Sequence, residues 1–274
     1  MEAISGVVTI LCIVLALTIG VRVARLGRRT SGAEIWISIY FLLTQFAGVT
    51  LSCFLYMSWT DASRALPDPI ATPLHAAAVG AANLGFGALH IFVYKTFHPR
   101  STTVRRIVGC LLVAMTAAYL AIPLTEGFAV RVMPGSAYWA SWVLRTSAVL
   151  WLAFESLRYW SLLRRRMRIG LGEPLVTNRF LLLGIFALAI FHMGASDPLA
   201  RTWYVLQVGS TEQWIPELAH SIVLVVLALT SILGIVVVTT LALIFFPTAR
   251  FRRFVEGRYG APVEAAASPS APGI

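Results

Sequence analysis

The stretch SGVVTILCIVLALTIGVRVARLGRR, residues 5–29, is apolar from Ser5 to Val21 and then abruptly basic, with Arg22, Arg25, Arg28 and Arg29. About 20 apolar residues at 1.5 Å each span the ~30 Å of bilayer hydrocarbon as a helix. Arginines that follow such a run are retained on the cytoplasmic side. Apolar runs of comparable length recur along the chain. Seven apolar runs are present, at about 4–24, 34–57, 73–96, 106–125, 138–160, 179–197 and 216–246. They are continuously apolar rather than alternating, which selects helices over the strands of a membrane barrel. The seventh run, with 31 residues, would be about 46 Å long and must tilt or project from the bilayer.

Composition agrees. Of the 274 residues 58% are hydrophobic and only 12% charged, with a mean hydropathy of +0.79. A soluble domain carries about a quarter charged residues. The composition therefore excludes a soluble globule, a disordered chain and a collagen-like fibre. The expected fold is an all-α, polytopic, seven-helix transmembrane bundle over 1–247. A basic tail over 248–274 follows, partly amphipathic and then disordered from Ala261.

Arginine distribution sets the orientation. Of 22 basic residues, 18 lie in the segments after the first, third, fifth and seventh runs. The alternate loops hold only Arg64, Arg131 and Arg201, and Arg145 lies within the fifth run. The amino terminus is thus expected outside and the carboxyl terminus in the cytoplasm. Because the basic residues follow the first run and Met1-Glu2-Ala3 precedes it, that run reads as a retained helix rather than a secretory signal. Only one basic residue, Lys95, is lysine, a bias that fits a GC-rich genome and a bacterial inner membrane. The net charge of +10 follows from the loops and calls for no nucleic acid. Cys12, Cys53 and Cys110 fall inside apolar runs and read as buried thiols.

A few polar residues interrupt the runs. The third run contains Ala76, Gly80, Ala81 and Gly85 at four-residue spacing, a pattern that lets helix backbones approach closely. Asn83, Gly87 and His90 share one stripe of that helix and should face other helices. Arg145 lies about seven positions into the fifth run, roughly 10 Å below the outer boundary. An arginine at that depth costs at least ~2.5 kcal/mol unless it has a partner or reaches water. Glu126, Asp197 and Glu217 are candidate partners; a small anionic ligand is the alternative, since a guanidinium matches carboxylate and phosphate. His192 and His220 share its outer depth and complete, with Asn83, a candidate ligand-binding set. Glu155 can pair with Arg158 at i+3, or form a proton path with His90 at similar depth.

His75, His192 and His220 are weak metal candidates: three histidines and a carboxylate would suffice for zinc, yet no pair shows i, i+4 spacing. By helix rise His90 and His192 lie ~9 Å and ~20 Å from the cytoplasmic boundary, which argues against their sharing a haem iron. The layout is similar to that of opsins and receptors in helix number and orientation alone. A retinal would require a lysine in the last span, and there is none. No cofactor is expected. Walker A, GxSxG, HExxH and CxxC motifs are all absent, so an enzyme is disfavoured. The expected function is a sensor or receptor with an outward-facing cavity that takes a small, anionic ligand. Its partners would be the lipid bilayer and a cytoplasmic protein met by the basic loops. A small-solute or proton-coupled transporter is the alternative, ahead of a zinc-dependent membrane hydrolase. The boundary aromatics Trp59, Tyr138, Trp139, Trp142, Trp160, Trp203, Tyr204 and Trp214 read as an interfacial belt.

In the tail, Phe251, Phe254 and Val255 fall at i, i+3 and i+4 with arginines between them. This spacing suits a short helix on the inner leaflet, its arginines directed to anionic headgroups.

Overall fold

A computed structural model describes residues 2–28, 32–52, 68–125, 128, 135–169, 171–208 and 216–259. They are almost wholly helical, with no strand among them. The helices are α1 (Glu2–Gly27), α2 (Ala33–Ser52), α3 (Asp68–Phe97), α4 (Thr102–Thr125), α5 (Ser136–Met167), α6 (Pro174–Val208), α7 (Pro216–Phe245) and α8 (Ala249–Tyr259). Six of them, all except α5 and α8, are long and apolar enough to cross a membrane. The chain is an integral membrane protein. α5 has the length, 32 residues, but Arg145, Glu155 and Arg158 lower its apolar character.

The bundle closes as a ring. α1 packs on α2 and α7, α2 on α3, α3 on α5, α5 on α6, and α6 on α7. α4 sits outside this ring, against α3 and α5. Burial reflects the difference: half of the apolar window of α3 is buried inside the protein, against 17% for α4. Small residues bring α3 close to its neighbours. Gly85 faces Thr44 of α2 so tightly that an added Cβ would collide with the Thr44 hydroxyl. Gly80 faces the Tyr119 hydroxyl of α4, which donates to the Ala76 carbonyl at 3.1 Å. At Phe41–Gly48 α2 widens into a π-helix, and this stretch presents Thr44 to Gly85 and Leu42 to Gly20 of α1. The principal core joins six helices, with Ile19, Tyr40, Leu89, Leu152, Phe186 and Val237 among its buried members.

Several boundaries and placements differ from the sequence expectations. α6 continues past 197 to Val208, carrying Pro198 in its interior and Trp203 and Tyr204 in its last turns. α3 begins at Asp68 rather than at 73, with Pro73 inside it. Cys110 is exposed on the outer helix α4 and not buried, whereas Cys12 is half-buried; Cys53 lies outside the described residues. The tail helix α8 packs against α6. Val255 is its buried residue and Phe251 is half-buried, but Phe254 is 61% exposed.

Candidate functional site

α5 concentrates the polar chemistry of the bundle because its inward face mixes hydroxyls and charges with small residues. Buried residues recur along it from Ala137 to Ser156, at the spacing of one helical face. Arg145 belongs to that face and is only 7% exposed. Its Nε donates to the Ser141 carbonyl at 3.3 Å, one turn back. The Tyr138 ring lies 5.8 Å from the guanidinium carbon. Among the described residues no carboxylate forms an ion pair with Arg145. The Ser141 hydroxyl, fully buried beside it, has no hydrogen-bond partner among the described residues. The candidate carboxylates Glu126, Asp197 and Glu217 have side chains outside the described residues.

The other outer candidates do not join this group. His192 is exposed on α6, its Nδ1 donating to the Leu188 carbonyl at 2.7 Å, and no described hydrogen bond or ring contact links it to Arg145. A neighbouring level of α6 does reach α5, where Trp142 Nε1 donates to the Gly194 carbonyl at 2.9 Å. The side chain of His220 lies outside the described residues. His75 Nδ1 lies 3.1 Å from the Phe128 carbonyl, between α4 and α5. Asn83 turns toward α4, where Nδ2 donates to the Met115 carbonyl at 3.2 Å; its buried Oδ1 has no described partner. Gly87 faces Leu112, so the stripe shared by Asn83, Gly87 and His90 meets helices, as its composition requires. No three His, Cys, Asp or Glu side chains converge on one point among the described residues.

The second polar cluster lies at the opposite end of α3 and α5. His90 is fully buried. Its Nδ1 faces the Phe86 carbonyl at 3.0 Å and therefore carries a proton to donate. Its Nε2 lies 3.1 Å from the Ser147 hydroxyl, which also reaches the Leu144 carbonyl at 2.7 Å; the single hydroxyl proton can serve either acceptor. Two turns farther along, His98 Nε2 lies 2.8 Å from Glu155 Oε1. Arg158 meets the other carboxylate oxygen at 3.3 Å, the i+3 pair that the spacing predicts. The Trp151 indole lies between the two histidines, stacked on His98 at 6.1 Å and tilted toward His90 at 6.3 Å. His98 is the residue the sequence reading missed. Its signal was its place eight residues after His90, hence close to the same helical face, just beyond the apolar run.

Between Ser147 and Glu155 the inward face of α5 is apolar. Ala148, Val149 and Leu152 are at most 1% exposed and join the principal core with Leu89 and Phe186.

No family model matches the chain, and neither the curated proteins nor the solved structures include one of significant similarity.

Proposed function

We propose that this chain is a seven-span integral membrane protein of sensor or receptor type, its amino terminus outside, in which Arg145 holds a small anion. α5 serves as the fifth span despite its charges, because it packs between α3, α4 and α6 within the bundle. The 18-to-3 arginine asymmetry orients the seven spans with their basic loops in the cytoplasm of a bacterial cell. The observation that carries the ligand is the burial of Arg145 without a described counter-charge, next to a buried Ser141 hydroxyl that lacks a partner. A guanidinium out of water calls for an anion, and a fork of donors beside a hydroxyl suits carboxylate or phosphate. His192 and His220, on the same outer third, would edge the entrance, and Asn83 would lie deeper. The apolar layer of Ala148, Val149 and Leu152 favours a sensor over a through-path for solute, since it separates Arg145 and the His90–Ser147 contact from Glu155. The exposed arginines Arg164, Arg165 and Arg166 in the last turn of α5 would meet the cytoplasmic partner.

The test is thermal unfolding of the purified protein with a panel of small carboxylates and phosphate, repeated on Arg145→Gln. An anion should raise the wild-type midpoint and leave the variant unmoved. An unmoved wild type, or an equal rise in both, contradicts the assignment. Asp197→Asn, Glu126→Gln and Glu217→Gln supply the counter-test. Strong coupling of any one of them with Arg145→Gln in a double-mutant cycle would show that the arginine is satisfied within the chain.

The transporter alternative gains one observation, the complete burial of a hydrogen-bonded imidazole at His90. Proton-coupled uptake into proteoliposomes, lost in His90→Gln, would favour it.

A further inference from the structure

We infer that His98 and Glu155 form a cytoplasmic proton-binding site, whose occupancy clasps the end of α3 to α5. Five observations converge on it. The Glu155 side chain is only 6% exposed, so its carboxylate depends on the donors that His98 and Arg158 bring. His98 is 24% exposed at its side chain and lies just past Phe97, the last residue of α3, where cytoplasmic water reaches it. Its ring is nearly parallel to the Trp151 indole, at 21°, and cations are favoured over indole faces. The contact is one of two described side-chain hydrogen bonds, with His90–Ser147, that join α3 and the residue after it to α5. Finally, among the described residues no carboxylate other than Glu155 bonds to His98, although Glu34 opens α2 and the exposed Glu173 precedes α6.

The neighbouring charges are few. α5 presents Glu155, Arg158 and Tyr159. On α3 itself lie His90, Tyr94 and Lys95; the Tyr94 hydroxyl donates to the Pro99 carbonyl, and Lys95 sits over Trp36 of α2. α4 opens with Arg105 and Arg106, both exposed, and α6 offers apolar Phe180 with exposed Arg179. Glu155 is thus the one described carboxylate bonded to His98.

In the neutral state Nε2–H of His98 donates to the carboxylate. A proton taken from the cytoplasm is added at Nδ1, and the same contact becomes an imidazolium–carboxylate bond. No other atom is transferred. Charged hydrogen bonds exceed neutral ones by a margin that favours the clasped state roughly fivefold. Protonation of His98 therefore tightens the joint between α3 and α5. The clasp does not depend on an anion at Arg145, and the two assignments fail separately.

The test is a pH titration of tryptophan fluorescence on the full-length protein in lipid nanodiscs. The Trp151 contribution is isolated by subtracting the Trp151→Phe spectrum. A stacked imidazolium quenches indole, so this component should dim on acidification from pH 8 to pH 5. The dimming should vanish in His98→Gln and persist in His90→Gln. A Trp151 component that ignores pH, or one that dims equally in His98→Gln, overturns the proposal. Glu155→Gln keeps a neutral acceptor and guards against misfolding of the first variant. Its thermal midpoint should lose the acid-side rise of the wild type, and an unchanged rise would also overturn the proposal.

Discussion

His98 Nε2 stands 2.8 Å from Glu155 Oε1, and this contact ties the residue just past the end of α3 to the buried face of α5. Glu155 is buried at 4% exposure, whereas its partner Arg158 is largely exposed. The two partners should therefore differ in weight. His98→Ala leaves a buried carboxylate with one partial donor and should cost about 1–3 kcal/mol. Arg158→Ala removes an exposed i+3 partner and should cost under about 1 kcal/mol. Thermal unfolding in one detergent at fixed pH compares the two. An Arg158 effect larger than that of His98 would contradict the assignment of roles.

The Gly85–Thr44 contact sets the spacing of α2 and α3. Gly85→Ala places a methyl group on the Thr44 side chain and backbone and should destabilise by about 1–3 kcal/mol. Thr44→Ala should recover part of that loss, because it removes the hydroxyl that the new methyl meets first. Gly109→Ala on α4, where an added Cβ meets open space, should be neutral or slightly stabilising. Equal effects at the two glycines would mean that the crossing is looser than described.

α8 should be held by Val255 rather than by Phe254. Val255→Asp would detach the helix from α6, while Phe254→Ser, at an exposed position, would not. Trypsin cleavage after Arg252 and Arg253 reports the difference. Faster cleavage is expected in Val255→Asp alone, and similar rates in both variants would contradict the docking.

Much of the architecture was legible in the sequence, because lipid tolerates few solutions. A continuous apolar run of membrane-spanning length is a helix, and α1 and α7 emerge close to their expected limits. The small-residue pattern around Gly80 and Gly85 likewise foretold close packing of α3. Lateral order was not legible, since depth along a helix says nothing about which neighbour it meets. Hence His192 and Arg145, equal in depth, face different surroundings, and the Glu155–Arg158 pair was foreseen while the closer His98 was not. The π-helical stretch at Phe41–Gly48 leaves no compositional mark. The extension of α6 through Pro198 also ran against the usual rule that proline ends a helix, though helices in lipid tolerate it.

Removal of the Arg145 charge should have an effect whose sign separates a ligand site from an internal ion pair. Arg145→Met relieves a buried, unneutralised cation, and without anion the variant should be as stable as the wild type or more so. If Arg145 were paired to a carboxylate of the chain, the same change would strand that carboxylate and cost about 3–5 kcal/mol. Unfolding in anion-free buffer distinguishes the two.

The most direct measurement is an experimental structure of the protein in lipid nanodiscs, with the anion that stabilises it most. Seven crossings are predicted, with density for that anion within hydrogen-bond distance of the Arg145 guanidinium and the Ser141 hydroxyl. A guanidinium paired instead with Glu126, Asp197 or Glu217, with no anion beside it, would contradict the account.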